Sequence, residues 1–198
     1  MVLKREVEEL MKKLKHPYSM SKKDVQKLIS ELNVRISTLH YVATHDEKTG
    51  LHNINFFKEI FAIESGQALS GKAMSIILVD IDFLKRLNDY HGHVTVDNLL
   101  KRVGMALAKE LRSYDVLARF GGDEFLVLLP DTRLDVAASV AERVRNSIIN
   151  DSILAKYSLT MSFGVASFNN KDDFNSLVER ADKSLYKSKQ AGRNKVSF

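Results

Sequence analysis

The chain contains no cysteine in 198 residues. That excludes disulfides and thiolate metal sites and fits a reducing compartment, so a cytoplasmic location is expected. It also lacks an apolar run of the roughly 18 residues that a membrane-spanning helix needs. The longest candidate, Ala73 to Ile81, is strand-sized, and Met1-Val2-Leu3-Lys4-Arg5-Glu6 has no signal-peptide core. Long basic tracts are missing too. The net charge is +5, but the 30 basic residues are dispersed among 25 acids, and no aromatic platform carries basic flanks. This argues against a nucleic-acid polymer as partner and suits a small ligand with several phosphates. There are no internal repeats and no low-complexity stretches.

What remains is an ordinary globular composition, long enough for one good core and an appendage. Residues 1–45 form the appendage, an expected N-terminal helical arm. Leu3, Val7, Leu10 and Leu14 recur at helical spacing, and His16-Pro17-Tyr18-Ser19 interrupts them. A second helix is expected from Ser21. Its apolar positions Val25, Ile29, Leu32, Ile36, Leu39 and Ala43 step by four and three, the spacing of a coiled-coil seam. A helix packed on its own domain would read the same way.

Residues 46–198 form the expected second domain. Asn53 or Asn55 can cap a helix to about Glu64, and Ala73 to Asp80 reads as a buried strand. Two helices follow between Phe83 and Arg112, separated near His91-Gly92-His93. Two strands, Asp115 to Phe120 and Asp123 to Leu129, make a hairpin. Asp131 or Thr132 can cap a helix to Ile149, with Val136, Val140, Val144 and Ile148 on one stripe. Ser158 to Phe168 is a strand, and Asp172 to Gln190 a closing helix that stops before Gly192. The order βαββαβ matches the ferredoxin-like split βαβ fold of the α/β (α+β) class. Its sheet is mainly antiparallel, with flanking helices expected on one face.

Two places carry chemistry. The hairpin turns through Arg119-Phe120-Gly121-Gly122-Asp123-Glu124-Phe125, where the two glycines read as a tight turn with positive φ. Asp123 and Glu124 then open a buried strand, where each carboxylate needs a partner or a cation. Asp80 ends the strand Ile76-Ile77-Leu78-Val79, which this fold places beside the hairpin, so Asp80 could face Asp123. Close carboxylates repel by several kcal/mol in a low dielectric; a divalent cation removes that cost, and hard oxygen ligands select Mg²⁺ or Mn²⁺. Asp80 and Asp82 could instead simply cap the next helix. Lys85 at that helix's N-terminus, and Lys189 and Arg193 around the end of the last helix, are candidate phosphate ligands. They could equally be surface charges, the last two complementing a helix C-terminus.

Six stretches in this order carry a resemblance: Asp46 to Asn53, Val79 to Asp89, His91 to His93, Arg112 to Phe125, Thr160 to Ala166 and Ala181 to Asn194. From Asp46 to Phe198 the chain resembles the GGDEF domain of diguanylate cyclases, which condense two GTP into cyclic di-GMP and release pyrophosphate. The resemblance implies a sheet core akin to that of nucleotidyl cyclases. It makes Asp80, the Ile81 carbonyl, Asp123 and Glu124 metal ligands, with Asp123 and Glu124 catalytic. Phe83 and Leu84 would offer backbone amides to the phosphates, Asn88 and Asp97 would read guanine, and His93 would lie near the nucleotide. Arg112 and Asp115 would form an Arg-x-x-Asp product-inhibition site. Each domain would bind one GTP, so a homodimer is implied, with the helical arm supplying the contact and transmitting a signal. Ile54, Leu84, His91 and Val96 depart from the family pattern. Val96 stands where a glycine before Asp97 would allow close approach to the base. A catalytically silent module that binds GTP or cyclic di-GMP is the alternative. A different nucleotidyl cyclase or polymerase-like enzyme is a third reading.

Overall fold

A computed structural model describes Lys12 and residues 21–198. The expected helix at Leu3 to Leu14 and its break at His16 to Ser19 lie outside the described residues. The chain divides into two compact units, Met1–Tyr41 and Val42–Phe198. Helix α1 spans Lys22–Thr44. Ser21 and Asp24 cap it reciprocally: the Asp24 amide donates to Ser21 Oγ (3.2 Å), and the Ser21 amide and hydroxyl donate to Asp24 Oδ2 (3.3 and 2.6 Å). On the seam, Val25, Ile29, Ile36, Leu39 and Ala43 are exposed and Leu32 is half-buried.

The second unit runs α2 (Ile54–Leu69), β1 (Met74–Ile81), α3 (Leu84–His91), α4 (His93–Lys109), β2 (Val116–Arg119) and β3 (Glu124–Pro130). It continues through α5 (Leu134–Asn150), a 3-10 turn (Leu154–Tyr157), β4 (Met161–Ser167), α6 (Phe174–Gln190) and β5 (Val196–Ser197). The sheet order is β2-β3-β1-β4-β5. β1 pairs antiparallel with both β3 and β4, and β2 with β3. β5 adds a parallel edge to β4; its two half-buried residues are too short a run to read as a strand.

All eight residues of β1 are buried. Ile77, Val79 and Ile81 pack with α4 and α5 residues such as Val103, Leu107, Val140 and Val144. Met74, Ile76 and Leu78 pack with Phe57, Phe61, Leu177 and Leu185 of α2 and α6. The helices therefore cover both faces, correcting the one-face expectation. A strand buried on both sides is continuously apolar and gives no alternation from which to read a solvent face. Two details of α5 also differ from the sequence reading. Neither Asp131 nor Thr132 caps it, since Arg133 holds the cap position without a side-chain bond and the Thr132 hydroxyl donates to the Pro130 carbonyl. Val136 is exposed, and Ala137 and Ala141 join Val140, Val144 and Ile148 in the buried stripe.

Helix α6 approaches the sheet very closely. A Cβ on Gly164 would sit 2.1 Å from the Ala181 carbonyl oxygen and 2.3 Å from the Leu185 amide. Glycine is required here by backbone contact, and the contact fixes where the end of α6 falls relative to β1.

Candidate active site

The register places Asp80 directly opposite Glu124, and the Ile81 amide donates to the Asp123 carbonyl at 3.1 Å. Three acids thus gather at one end of the sheet, with Glu124 rather than Asp123 facing Asp80. The hairpin loop covers the four residues between β2 and β3. Neither glycine in it has a positive φ; the glycines that do are Gly50, Gly71, Gly92 and Gly192. The expected tight turn is corrected accordingly. Gly121 serves by lacking a side chain, because a Cβ there would lie 2.8 Å from Glu124 Oε2. Arg119 holds the loop: Nε donates to the Gly121 carbonyl (3.0 Å), Nη2 to the Gly122 carbonyl (2.7 Å), and Nη1 to Asp46 Oδ1 (3.0 Å). Burial opposes ionisation of Asp46, but hydrogen bonds from Thr49 and Arg119 outweigh it and hold its carboxyl below the ordinary value.

The acids themselves are under electrostatic pressure. Burial pushes Asp80 up from the ordinary 3.8; Lys189 pulls it back, and the charges of Asp123 and Asp82 push it further. Burial likewise raises Glu124, helped by Asp80 and Asp123 and opposed by Lys189. Lys189 Nζ sits 2.9 Å from Asp80 Oδ2, a protein cation at the place where the acids need one. Among the described residues, no group of three or more His, Cys, Asp or Glu side chains could by itself hold a metal ion. A small hard cation still fits this donor set. Mg²⁺ is commonly held by one or two carboxylates plus substrate phosphates and waters, without a full protein cage.

Asp82 does not cap α3. It is almost fully buried and accepts from Thr160 Oγ1 (2.7 Å), Ser162 Oγ (2.7 Å) and the Asn194 amide (3.0 Å). Phe83 takes the helix's cap position with left-handed backbone (φ 58) and no side-chain bond. Lys85 is exposed in the first turn of α3, and Leu84 is half-buried against the core. The Arg193 guanidinium lies 4.4 Å from the Phe83 ring centre, and that of Arg86 lies 5.5 Å from it.

Asn88 and Asp97 fall on α3 and α4, and each already has a partner. Asn88 Oδ1 is 2.8 Å from His93 Nδ1, and Lys48 Nζ is 3.0 Å from Asp97 Oδ1. Val96 points into the core and is buried, so its side chain does not crowd the Asp97 face. His91 packs edge-on against Tyr157, and Ile54 packs against the α2 side of the core.

Arg112 and Asp115 lie in the turn before β2. Asp115 Oδ2 accepts from the Arg112 amide (2.8 Å), while the Arg112 guanidinium donates to the Tyr114 hydroxyl (2.9 Å). Asp115 Oδ1 and His52 Nδ1 are buried without a hydrogen-bond partner. Both residues, with Arg112, line a cavity of about 240 Å³. Burial raises the Asp115 carboxyl, opposed by Arg112 and Arg143. Arg143, Arg119 and Lys48 escaped the sequence reading. An isolated basic residue on a helix or loop carries no spacing signal, although Arg119 immediately precedes the hairpin motif.

This fold and this gathering of acids define a nucleotide-cyclase-like domain, and the comparisons name its family. The model of the diguanylate cyclase GGDEF domain matches residues 43–195. Diguanylate cyclase A of Treponema denticola is 37% identical over 86% of this chain and 48% of its own length. The coiled coil and GGDEF domain of DgcB from Caulobacter crescentus, solved in complex with c-di-GMP, superposes with a TM-score of 0.80. It is 28% identical, covering 88% of this chain and 95% of that one. Diguanylate cyclase SiaD from Pseudomonas aeruginosa, solved with its activator SiaC, gives a TM-score of 0.74 at 31% identity, over 98% of this chain and 74% of that one. The chain belongs to the GGDEF family of diguanylate cyclases. It spans about half the length of the Treponema relative. No helix among the described residues is long and apolar enough to cross a membrane.

Proposed function

We propose that this chain condenses two molecules of GTP into cyclic di-GMP and pyrophosphate. The observation that carries the reading is Asp80 opposite Glu124, both acids raised by burial and by their neighbours' charge. Such a cluster favours a cation. Asp80, Glu124, Asp123 and the Ile81 carbonyl would hold Mg²⁺ or Mn²⁺, which when bound stabilises charge on the phosphates during displacement.

The rest of the reaction falls to the chain's own groups. The amides of Phe83 and Leu84 at the start of α3, together with Lys85, Lys189 and Arg193, bind and orient the triphosphate. Asp97 accepts from guanine N1–H and N2–H₂, with Asn88 beside it and His93 setting the Asn88 amide. Adenine offers an acceptor at N1, which would leave the carboxylate unpaired, so the site selects guanine. Lys48 neutralises Asp97 until the base arrives. The 3′-hydroxyl of each GTP attacks the α-phosphorus of the other in line, so that two phosphodiester bonds form and two pyrophosphates leave. Asp123 and Glu124 are the acids nearest that chemistry.

Each domain supplies one half-site, so two copies must face each other around a two-fold axis. The exposed seam of α1 (Val25, Ile29, Ile36 and Leu39) suits a coiled coil with a second copy, and the DgcB structure contains a coiled coil beside its GGDEF domain. The arm would set how often the half-sites meet and so pass a signal. Arg112 and Asp115 would bind the product as an inhibitor, Arg112 forking onto guanine O6 and N7 and Asp115 accepting from N1 and N2. The buried, unpartnered Asp115 oxygen is an acceptor in want of such donors. Against the alternative of a silent binding domain, which Val96 leaves open, stand the intact Asp80, Asp123 and Glu124 and the packing of Val96 into the core.

Chromatography of the protein incubated with GTP and Mg²⁺ tests the proposal. Cyclic di-GMP and pyrophosphate in a 1:2 ratio are expected. GTP binding without turnover, or consumption of ATP in place of GTP, would overturn it.

A further inference from the structure

We propose that Asp82 is a positioning residue for nucleotide phosphate: it pins the turn that carries Arg193 against the end of β1. The inference rests on the reading of Arg193 and Lys189 as phosphate ligands. Asp82 itself touches no substrate, because the residue is 4% exposed and its carboxylate is spent on three internal donors.

The donors come from two directions. Thr160 immediately precedes β4 and Ser162 lies at its start, and the Asp82 amide returns a bond to the Thr160 carbonyl at 2.9 Å. The third donor, the Asn194 amide, belongs to the segment after α6. That segment is conformationally costly. Gly192, Arg193 and Asn194 have φ of 106, 64 and 47, and the last two carry side chains in the left-handed region that favours glycine. Such a run persists only where its surroundings hold it. Three bonds do so: the Arg193 amide to the Ser188 carbonyl (3.0 Å), Arg145 Nη1 to Asn194 Oδ1 (3.1 Å), and the Asn194 amide to Asp82. Only the last has a buried carboxylate as acceptor, and charge-assisted bonds are the strong ones.

Both partners of the resulting contact are placed by Asp82. Its side chain fixes the Arg193 turn, and the residue that follows it is Phe83, whose ring receives the Arg193 guanidinium. Two residues earlier is Asp80, paired with Lys189 four residues before Arg193. The two candidate phosphate cations are thus tied separately to the end of β1, Lys189 through Asp80 and Arg193 through Asp82. Binding phosphate requires Arg193 only to turn from the ring, while its backbone stays in place.

The probe is inorganic triphosphate with Mg²⁺, measured by calorimetry on the full chain. Asp82→Ala should weaken triphosphate binding by about tenfold, the loss of one charged hydrogen bond's worth of placement, and should raise KM for GTP more than it lowers kcat. Asp82→Asn should restore most of the affinity, since its carbonyl oxygen can accept from Asn194 while its NH₂ donates to a rotated Ser162 hydroxyl. Adding Asn194→Gly to Asp82→Ala should also recover affinity, because glycine adopts the turn unpinned. A purely structural Asp82 would not respond to a change at Asn194. Should Asp82→Ala not fold, Thr160→Val carries the test, with a smaller loss of triphosphate affinity expected. Wild-type affinity in folded Asp82→Ala or in Thr160→Val, or no recovery on Asn194→Gly, would overturn the proposal. Absence of GTP turnover in the wild type bears on the proposed function, whereas the triphosphate comparison stands without it.

Discussion

Asp80 and Asp82 are two residues apart at the same end of the same strand, and the chain treats them in opposite ways. Asp82 receives three donors and is sealed. Asp80 is given one lysine and the nearby charge of Asp123, and burial raises both Asp80 and its cross-strand neighbour Glu124. A fully satisfied buried acid stabilises geometry. A cluster of under-neutralised acids costs stability and is retained where a ligand will complete it. The difference separates a part that holds shape from the part to which the proposed function assigns the ligand.

The largest effect expected on that contrast comes from the unsatisfied side. Glu124→Gln should lower GTP turnover by about a thousandfold, several kcal/mol of lost charge stabilisation, with little change in melting temperature. Retained turnover would dissolve the distinction. The two close-contact glycines sharpen it next. Gly164→Ala puts a Cβ against α6 backbone and should destabilise the fold by about 3 kcal/mol in denaturant unfolding. Gly121→Ala meets only the end of the Glu124 side chain, so it should leave stability nearly unchanged while lowering turnover about tenfold by displacing that carboxylate.

Smaller effects test the outlying groups. Arg112→Ala should weaken inhibition by added cyclic di-GMP about tenfold or more, measured as the inhibition constant, and leave initial turnover intact. Loss of turnover would reassign the residue. The pH dependence has a definite sign. Asp80 and Glu124 are raised above their ordinary 3.8 and 4.5, so their protonated forms favour the folded state. Their contribution to stability is full below the ordinary values and is lost as pH rises through the raised ones. Mg²⁺ binds the ionised forms, so the affinity of the free protein for Mg²⁺ should fall as the pH drops through the raised values.

The sequence disclosed the order of elements and the acids that the fold gathers at one end of the sheet, because both rest on local signals. Apolar runs, the Asn53 cap and the gap at Gly92 mark element limits. The acids after apolar runs mark the site. Features that depend on tertiary approach were not legible. A strand buried on both faces gives no clue to helices on two sides, and β5 is two residues long. Gly121 read as a turn residue because a sequence cannot show that Glu124 occupies the space beside it. The sealing of Asp82 was not legible either, because its three donors come from about 80 and 112 residues away, and a helix cap stayed open as an alternative.

The most direct measurement is the melting temperature at pH 7, with and without Mg²⁺, of the wild type, Asp80→Asn and Asp82→Ala. Without Mg²⁺, Asp80→Asn should melt at or above the wild type and Asp82→Ala well below it. Mg²⁺ should raise the wild type and leave Asp80→Asn unmoved. An Asp80→Asn protein that melts far below the wild type, or that Mg²⁺ stabilises equally, would contradict the account.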